Sequence, residues 1–216
     1  MQAVIFDCDG TLVESERLAN EVLVELVGEH GLNISADYAL TQFRGAKMAD
    51  SIAHLEGLLG KSLPDDFVPT LRTRCAEAFH DRLQPVDGAL ELVRSLSVPC
   101  CVASSGPMAK MQLTLSVTGL APYFEGRLFS SYKIGSWKPE PDLFLHAANA
   151  LSVAPESCAV VEDSLPGIKA GVAAGMQVFA LQMHATDITM PDNVTVLGHL
   201  SELRRYDPTA FQPPLG

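Results

Sequence analysis

Positive charge is what this sequence has least of: 15 lysines and arginines stand against 26 aspartates and glutamates, a formal net charge of −11. Nucleic acid and anionic membrane surfaces are held by basic faces, so neither is expected as a partner. An anionic substrate would need a local basic pocket. Long apolar runs are missing too, and no uninterrupted segment approaches the length of a membrane span. The first apolar run starts almost at Met1, which leaves no room for a signal peptide, so a cytoplasmic location is expected. Cysteine is sparse and unpatterned. The five residues Cys8, Cys75, Cys100, Cys101 and Cys158 are odd in number and show no C-x-x-C spacing, which excludes a disulfide framework or a zinc ribbon and leaves reduced core thiols. The six histidines, scattered from His30 to His199, lack metal-ligand spacing. There is no internal repeat and no low-complexity segment, and the proline-rich end from Pro208 to Gly216 is expected to be a frayed tail.

What is present is ordinary globular material: 216 residues, 47% of them hydrophobic, enough for one domain with a sizeable insertion or two small ones. The chain is organised around its first eleven residues. Ala3-Val4-Ile5-Phe6 is an apolar run of strand length that ends in Asp7-Cys8-Asp9-Gly10-Thr11. A buried parallel strand opening onto a loop reads this way, and in open α/β sheets ligands bind outside such carboxyl ends. Asp7 and Asp9 converge only if the second bends into the loop, which Gly10 allows. Two acids this close repel unless a cation lies between them. With no basic residue nearby in sequence, Mg²⁺ is the natural counter-charge, and Mg²⁺ in turn suggests a phosphate substrate. A plain turn at Asp9-Gly10, with Asp7 as a helix cap, would give the same letters. The Cys8 side chain should point away from both acids, toward the core.

After Thr11 the periodicity becomes helical. Helices are expected over 15–30, 35–43, 46–59 and 65–83, punctuated by Gly31, Gly45, Gly60 and Pro64, with no strand signal between Val13 and Leu83. From Pro85 helices and strands alternate, with strands expected over 99–103, 127–130, 158–161 and 177–181. That is the pattern of an α/β fold with a doubly wound parallel, Rossmann-like sheet. The opening strand has no neighbour of its own, so the helical block must be an insertion. The expected division is an α/β core of residues 1–14 and 84–216 and a helical cap of residues 15–83, hanging over the strand ends as a lid.

Three later strand ends carry side chains capable of chemistry. Cys100-Cys101-Val102-Ala103 leads into Ser104-Ser105-Gly106 just before a helix, where hydroxyls and backbone N–H groups suit an anion; the same residues would also make a good N-cap. In Trp137-Lys138-Pro139-Glu140-Pro141 the prolines fix the direction of Lys138, which can meet phosphate or the Asp7 carboxylate, unless it is a solvated loop lysine. Ala159-Val160-Val161 ends in Glu162-Asp163, and Asp163 could complete a metal site with Asp7 and Asp9, although acids are favoured at any helix N-terminus.

In this order, Asp7-x-Asp9-Gly10-Thr11, Ser104, Lys138-Pro139 and Glu162-Asp163 resemble the four motifs of the haloacid dehalogenase-like hydrolases, in the β-phosphoglucomutase-like phosphatase branch. Within it, Ser104-Ser105-Gly106-Pro107 and Trp137-Lys138-Pro139 most resemble the 6-phosphogluconate phosphatase group. The resemblance implies Asp7 as nucleophile and Asp9 as general acid and base. It also implies phosphate held by Ser104, Ser105, Gly106 and Lys138, and Mg²⁺ held by Asp7, the Asp9 carbonyl and Asp163 with support from Glu162. Thr11 is expected to position the acid loop. The expected substrate is a small phosphorylated molecule, a sugar phosphate or sugar-acid phosphate such as 6-phosphogluconate, handled by a monomer or weak dimer.

Substrate choice is expected in the cap. Phe43-Arg44-Gly45-Ala46-Lys47 places two cations around a glycine, so Arg44, Gly45 and Lys47 would bind an anionic end of the substrate unless they form a solvated turn. Two departures from the resemblance stand out. Mutases of the branch carry histidine where Ala19 stands, and Glu14 replaces a frequent aspartate. The alternatives to hydrolysis are a sugar-phosphate mutase and a non-enzymatic phospho-aspartate receiver, which would lack the helical insert.

Overall fold

The sheet forms where the sequence places its uninterrupted apolar runs. The computed structural model describes residues 1–43, 46–181, 191 and 193–212. Its strands are β1 (Ala3–Phe6), β2 (Cys100–Ser104), β3 (Leu128–Ser130), β4 (Cys158–Glu162), β5 (Gln177–Leu181) and β6 (Val194–Leu197), ordered β3-β2-β1-β4-β5-β6. Every neighbouring pair is parallel. All four residues of β1 are fully buried, and they alternate between two cores. Val4 and Phe6 face one cluster; Ala3 and Ile5 face the other. Burial on both faces explains why these strands read as continuous apolar runs without polar alternation.

Helices cover both faces. α5 (Ala89–Ser95) and α6 (Met108–Val117) pack on the Val4/Phe6 side, with α10 (Leu203–Tyr206) at its margin, whereas α8 (Asp142–Ala150) and α9 (Leu165–Ala173) cover the Ala3/Ile5 side. The result is the three-layered α/β/α fold expected from the alternation. Between β1 and α5 come the consecutive helices α1 (Ser15–Glu29), α2 (Ala36–Phe43), α3 (Met48–Leu59) and α4 (Phe67–Arg82), with α1 packed against α2 and α4. The chain enters and leaves this block side by side: the Glu14 N–H donates to the Gln84 carbonyl at 3.0 Å and the Val86 N–H to the Leu12 carbonyl at 2.9 Å.

The structure adds three features to the expected pattern. β6 is a sixth strand at the sheet edge, too short and too exposed for its four residues to give a periodic signal; Val196 is 46% exposed. A single helical turn, α7 (Ser131–Ile134), follows β3 directly. The proline-rich end is not frayed as far as Gln212: Ala210 and Phe211 are buried in the larger core, and the Gln212 N–H donates to the Ser95 carbonyl at 2.7 Å. The apolar Phe211 overrides the loop-forming prolines around it, because its burial offsets the cost of ordering a short segment. All five cysteines are free and buried, Cys8 with its Sγ 3.8 Å from the Thr114 hydroxyl, inside the core and away from the acids.

Candidate active site

Strand order sets the site. The chain moves outward from β1 through β2 to β3, then restarts on the other side of β1 with β4, so the crevice at this reversal lies beyond the carboxyl ends of β1 and β4. Phe6 pairs with Val161, and the Asp7 N–H donates to the Val161 carbonyl at 2.9 Å, which puts Asp7 beside Glu162 and Asp163. Single carboxylate oxygens of Asp7, Glu162 and Asp163 lie within 4.8 Å of one another, all three residues buried.

One ammonium sits among them. Lys138 Nζ donates to Asp7 Oδ1, and to Glu162 Oε1 at 2.7 Å, with its side chain 3% exposed. Glu162 is held from the other side by the Ser164 N–H at 2.6 Å and the Ser164 hydroxyl at 3.2 Å. Thr11 donates its hydroxyl to Asp163 Oδ1 at 3.1 Å. Two glycines make room for these acids. A Cβ at Gly10, whose φ is +80°, would lie 2.2 Å from Asp163 Oδ2, and one at Gly167 would lie 1.9 Å from Glu162 Oε1. Side-chain-free backbone is therefore required at both.

Burial pushes the Asp7 carboxyl well above the ordinary range; Lys138 pulls it down, and the neighbouring Glu162, Asp163 and Asp9 carboxylates raise it further. Lys138 is raised as well, toward its charged form: burial opposes its charge, yet Asp7 and Glu162 outweigh that. Asp9 behaves differently from Asp7. Burial again favours its neutral form, but Lys110 Nζ at 2.8 Å and the Ser15 hydroxyl both bond to Oδ1 and hold the carboxyl below its usual value. Two acids separated by a single residue are thus driven in opposite directions in the metal-free site.

Ser104 ends β2 and its Oγ accepts from the Gly106 N–H at 3.0 Å, while the Ser130 hydroxyl donates to the Gly106 carbonyl at 2.6 Å. α6 begins after Pro107 with no side-chain cap bond, so these serines are not consumed as a helix cap. A cavity of about 450 Å³ connects all of this: Asp7, Asp9, Ser104, Ser105, Gly106 and Lys138 line its floor. Its upper wall comes from α1, the end of α2, α3 and α4 and is largely apolar, with Leu23, Phe43, Ile52, Leu55 and Phe79 among its side chains and Glu16, Asn20, Ser51 and Arg72 as its polar members. Ala19 is also in the lining.

Of the expected specificity residues, Arg44 and Gly45 lie outside the described residues. Lys47 is exposed and does not line the cavity; its ammonium is 5.3 Å from the centre of the Trp137 ring. Sequence reasoning missed Lys110, which pairs with Asp9 and lies 5.8 Å from the Phe79 ring centre. The available signal was its place in the first turn of the helix that follows Ser104-Ser105-Gly106. It also missed Arg72 and Tyr132, both of which line the cavity.

The chain is 36% identical over 206 residues, 94% of its length and 93% of the relative's, to the 6-phosphogluconate phosphatase of Escherichia coli strain K12. It is 29% identical to hexitol phosphatase A of the same organism, over 92% of this chain and 91% of that one. Among solved structures, a HAD family hydrolase from Deinococcus radiodurans R1 with bound phosphate and sodium superposes with a TM-score of 0.77 at 31% identity, covering 97% of this chain and 96% of the other. The family model for haloacid dehalogenase-like hydrolases matches residues 1–175, a span that holds the carboxyl ends of β1, β2 and β4, and the chain belongs to that family.

Proposed function

We propose that this phosphatase is a Mg²⁺-dependent phosphomonoester hydrolase acting on a small sugar phosphate or sugar-acid phosphate, such as 6-phosphogluconate, through an aspartyl-phosphate intermediate. The observation that carries this reading is the Asp7 carboxylate, buried at the end of β1, faced by Lys138 and opening onto the cavity. The E. coli relative named for 6-phosphogluconate supports the substrate class.

The donor set fits a hard divalent cation. Asp7, Glu162 and Asp163 bring three carboxylates to one buried spot and Lys138 brings one positive charge, so a charge of about two remains to be balanced. Asp7, Asp163 and the Asp9 carbonyl would hold Mg²⁺, with Glu162 supporting. Bound there, Mg²⁺ supplies charge neutralisation between the nucleophile and the phosphoryl oxygens.

The chain's own residues perform the transfer. An Asp7 oxygen attacks phosphorus while the bond from phosphorus to the leaving sugar oxygen breaks, and Asp9 gives that oxygen its proton. Ser104, Ser105, the Gly106 N–H and Lys138 hold the remaining phosphoryl oxygens as charge redistributes. Water then attacks the phosphorus of the acyl phosphate, Asp9 takes the water's proton, and the bond to Asp7 breaks to release inorganic phosphate. In the resting arrangement Lys110 and Ser15 keep Asp9 ionised. Entry of a phosphoryl dianion beside it opposes that charge, so Asp9 takes up from solvent water the proton that the first step transfers to the leaving oxygen.

The leaving group occupies the helical side of the cavity, with a carboxylate end directed toward the junction of α2 and α3 that carries Arg44 and Gly45. This reading treats residues 15–83 as a cap on a core of 1–14 and 84–216. It places the enzyme in the cytoplasm as a monomer or weak dimer without nucleic-acid or membrane partners; no helix among the described residues is long and apolar enough to cross a membrane. Ala19 on the cavity wall offers no proton-transferring group where branch mutases have histidine, which favours release of phosphate over its movement within the sugar.

The test is phosphate release from phosphorylated sugars and sugar acids. Asp7→Ala should abolish turnover, and chelation should remove activity that Mg²⁺ restores. Wild-type kinetics in Asp7→Ala, or activity indifferent to chelator, would overturn the assignment.

A further inference from the structure

Two aromatic rings on the sheet side of the cavity meet two cations from the helical side. Tyr132 in α7 and Trp137 in the following loop stack edge to face, their centroids 5.5 Å apart and their planes at 75°. Lys47, just ahead of α3, holds its ammonium 5.3 Å from the Trp137 ring centre. Arg72 in α4 holds its guanidinium carbon 5.9 Å from the Tyr132 ring centre, and its Nη2 donates to the Tyr132 hydroxyl at 3.5 Å. The contacts join positions far apart in sequence, 60 residues in the case of Arg72 and Tyr132.

Two features make this more than surface packing. Tyr132 and Arg72 line the same cavity as Asp7, and Trp137 packs against the Tyr132 ring from outside it. Trp137 directly precedes Lys138, and Pro139 restricts the backbone of Lys138 from the other side.

We propose that Tyr132 and Trp137 form an aromatic platform to which Lys47 and Arg72 bind when the helical block closes over the acids, and that this closure shuts water out from the fixed Lys138 and Asp7 beneath it. The proposal rests on the phosphatase reading, in which Lys138 holds a phosphoryl oxygen. It assigns Lys47, expected from the sequence to bind substrate, to the Trp137 ring instead. A cation over an exposed ring is weak and easily hydrated, so each contact favours the closed form by only about two- to fivefold. Contacts of that strength can part and re-form with every turnover, whereas a buried ion pair could not.

Trp137 is the single tryptophan of the chain, so its fluorescence reports on the platform without any need for turnover. Orthovanadate with Mg²⁺ should shift the emission of the wild-type protein, and the shift should be reduced in Lys47→Met. In steady-state kinetics Lys47→Met with Arg72→Met should lower kcat/KM by about five- to thirtyfold, equally on 6-phosphogluconate and on glucose 6-phosphate. Lys47→Arg should restore most of the loss, and Trp137→Phe should retain more activity than Trp137→Leu. The platform is overturned by wild-type kcat/KM in the double variant, by an emission shift unchanged in Lys47→Met, or by a loss confined to the sugar acid, which would make Lys47 a carboxylate ligand. Failure of the phosphatase reading would look different: the wild-type protein would release no phosphate from any monoester, p-nitrophenyl phosphate included.

Discussion

Charge is held in opposite ways at the two ends of the cavity. At the floor, Lys138 is 3% exposed and bonds to both Asp7 and Glu162, and Glu162 is itself fixed by the Ser164 N–H and hydroxyl. At the rim, Lys47 and Arg72 are exposed and rest on ring faces. A buried group with several partners can occupy only one place, whereas a cation on a ring trades that contact for water at little cost. The floor is therefore built for unchanging geometry and the rim for movement, so substitutions at the floor should cost far more than those at the rim.

Lys138→Met breaks the floor at its most connected point. It leaves the Asp7 and Glu162 carboxylates buried together without their cation, and loss of one partner from a buried charge cluster costs about 3 to 5 kcal/mol. Because Lys138 is raised by its neighbours, its stabilisation is fully present below the ordinary lysine value and is lost only as pH rises through the still higher folded value. At neutral pH the whole effect is therefore seen. The deficit should narrow as pH falls and the Asp7 carboxyl, held above its ordinary value, takes up a proton. Thermal unfolding of both proteins across pH checks this, and an equal deficit at every pH would mean that the acids do not repel.

Metal is the second lever on the same charges. The folded value of Asp7 is raised by burial and by its acidic neighbours, so between the ordinary carboxylate value and that raised value the folded, metal-free protein binds more protons than the unfolded chain. Stability from this group falls as pH rises through that window. A divalent cation favours the ionised form, and its stabilisation should therefore grow from pH 5 to pH 8. At a hundredfold excess over its dissociation constant the gain is about 2 to 3 kcal/mol, on the order of 5 to 10 °C in Tm for a chain of this size. A Mg²⁺-induced rise that does not depend on pH would separate the ion from Asp7.

Gly167→Ala tests how tightly the floor is packed. The new Cβ would meet the Glu162 carboxylate, which cannot swing away without leaving Lys138 and Ser164. The expected cost is about 2 kcal/mol, read as a Tm lower by about 4 to 8 °C.

The floor was also the legible part of the sequence. Apolar runs that stop at Asp7, Ser104 and Glu162-Asp163 announce strand ends, and parallel topology brings such ends together wherever they fall in the chain. The rim had no such signal. Lys47, Arg72, Tyr132 and Trp137 belong to no periodic pattern, and what unites them is the approach of α3 and α4 to α7. Lys110 escaped notice for a related reason, since a lysine in the first turn of a helix reads as a solvated charge until Asp9 is seen beside it. β6 and Phe211 lay hidden because a four-residue edge strand and a single buried ring leave too short a trace for hydrophobic spacing to reveal.

The smallest expected effect lies between floor and rim, at Thr11. Its hydroxyl is buried and donates to Asp163 Oδ1 at 3.1 Å, tying the loop that carries Asp9 to the end of β4. Thr11→Val keeps the shape and removes the donor, at a cost of about 1 kcal/mol in the metal-free protein. With Mg²⁺ bound, Asp163 gains a stronger partner on the same carboxylate, so the penalty should shrink. Tm measured for both proteins with and without Mg²⁺ resolves this coupling. A Thr11→Val deficit that Mg²⁺ leaves unchanged would show that Asp163 and the ion do not meet, and the floor would then be an ion-pair cluster centred on Lys138 alone.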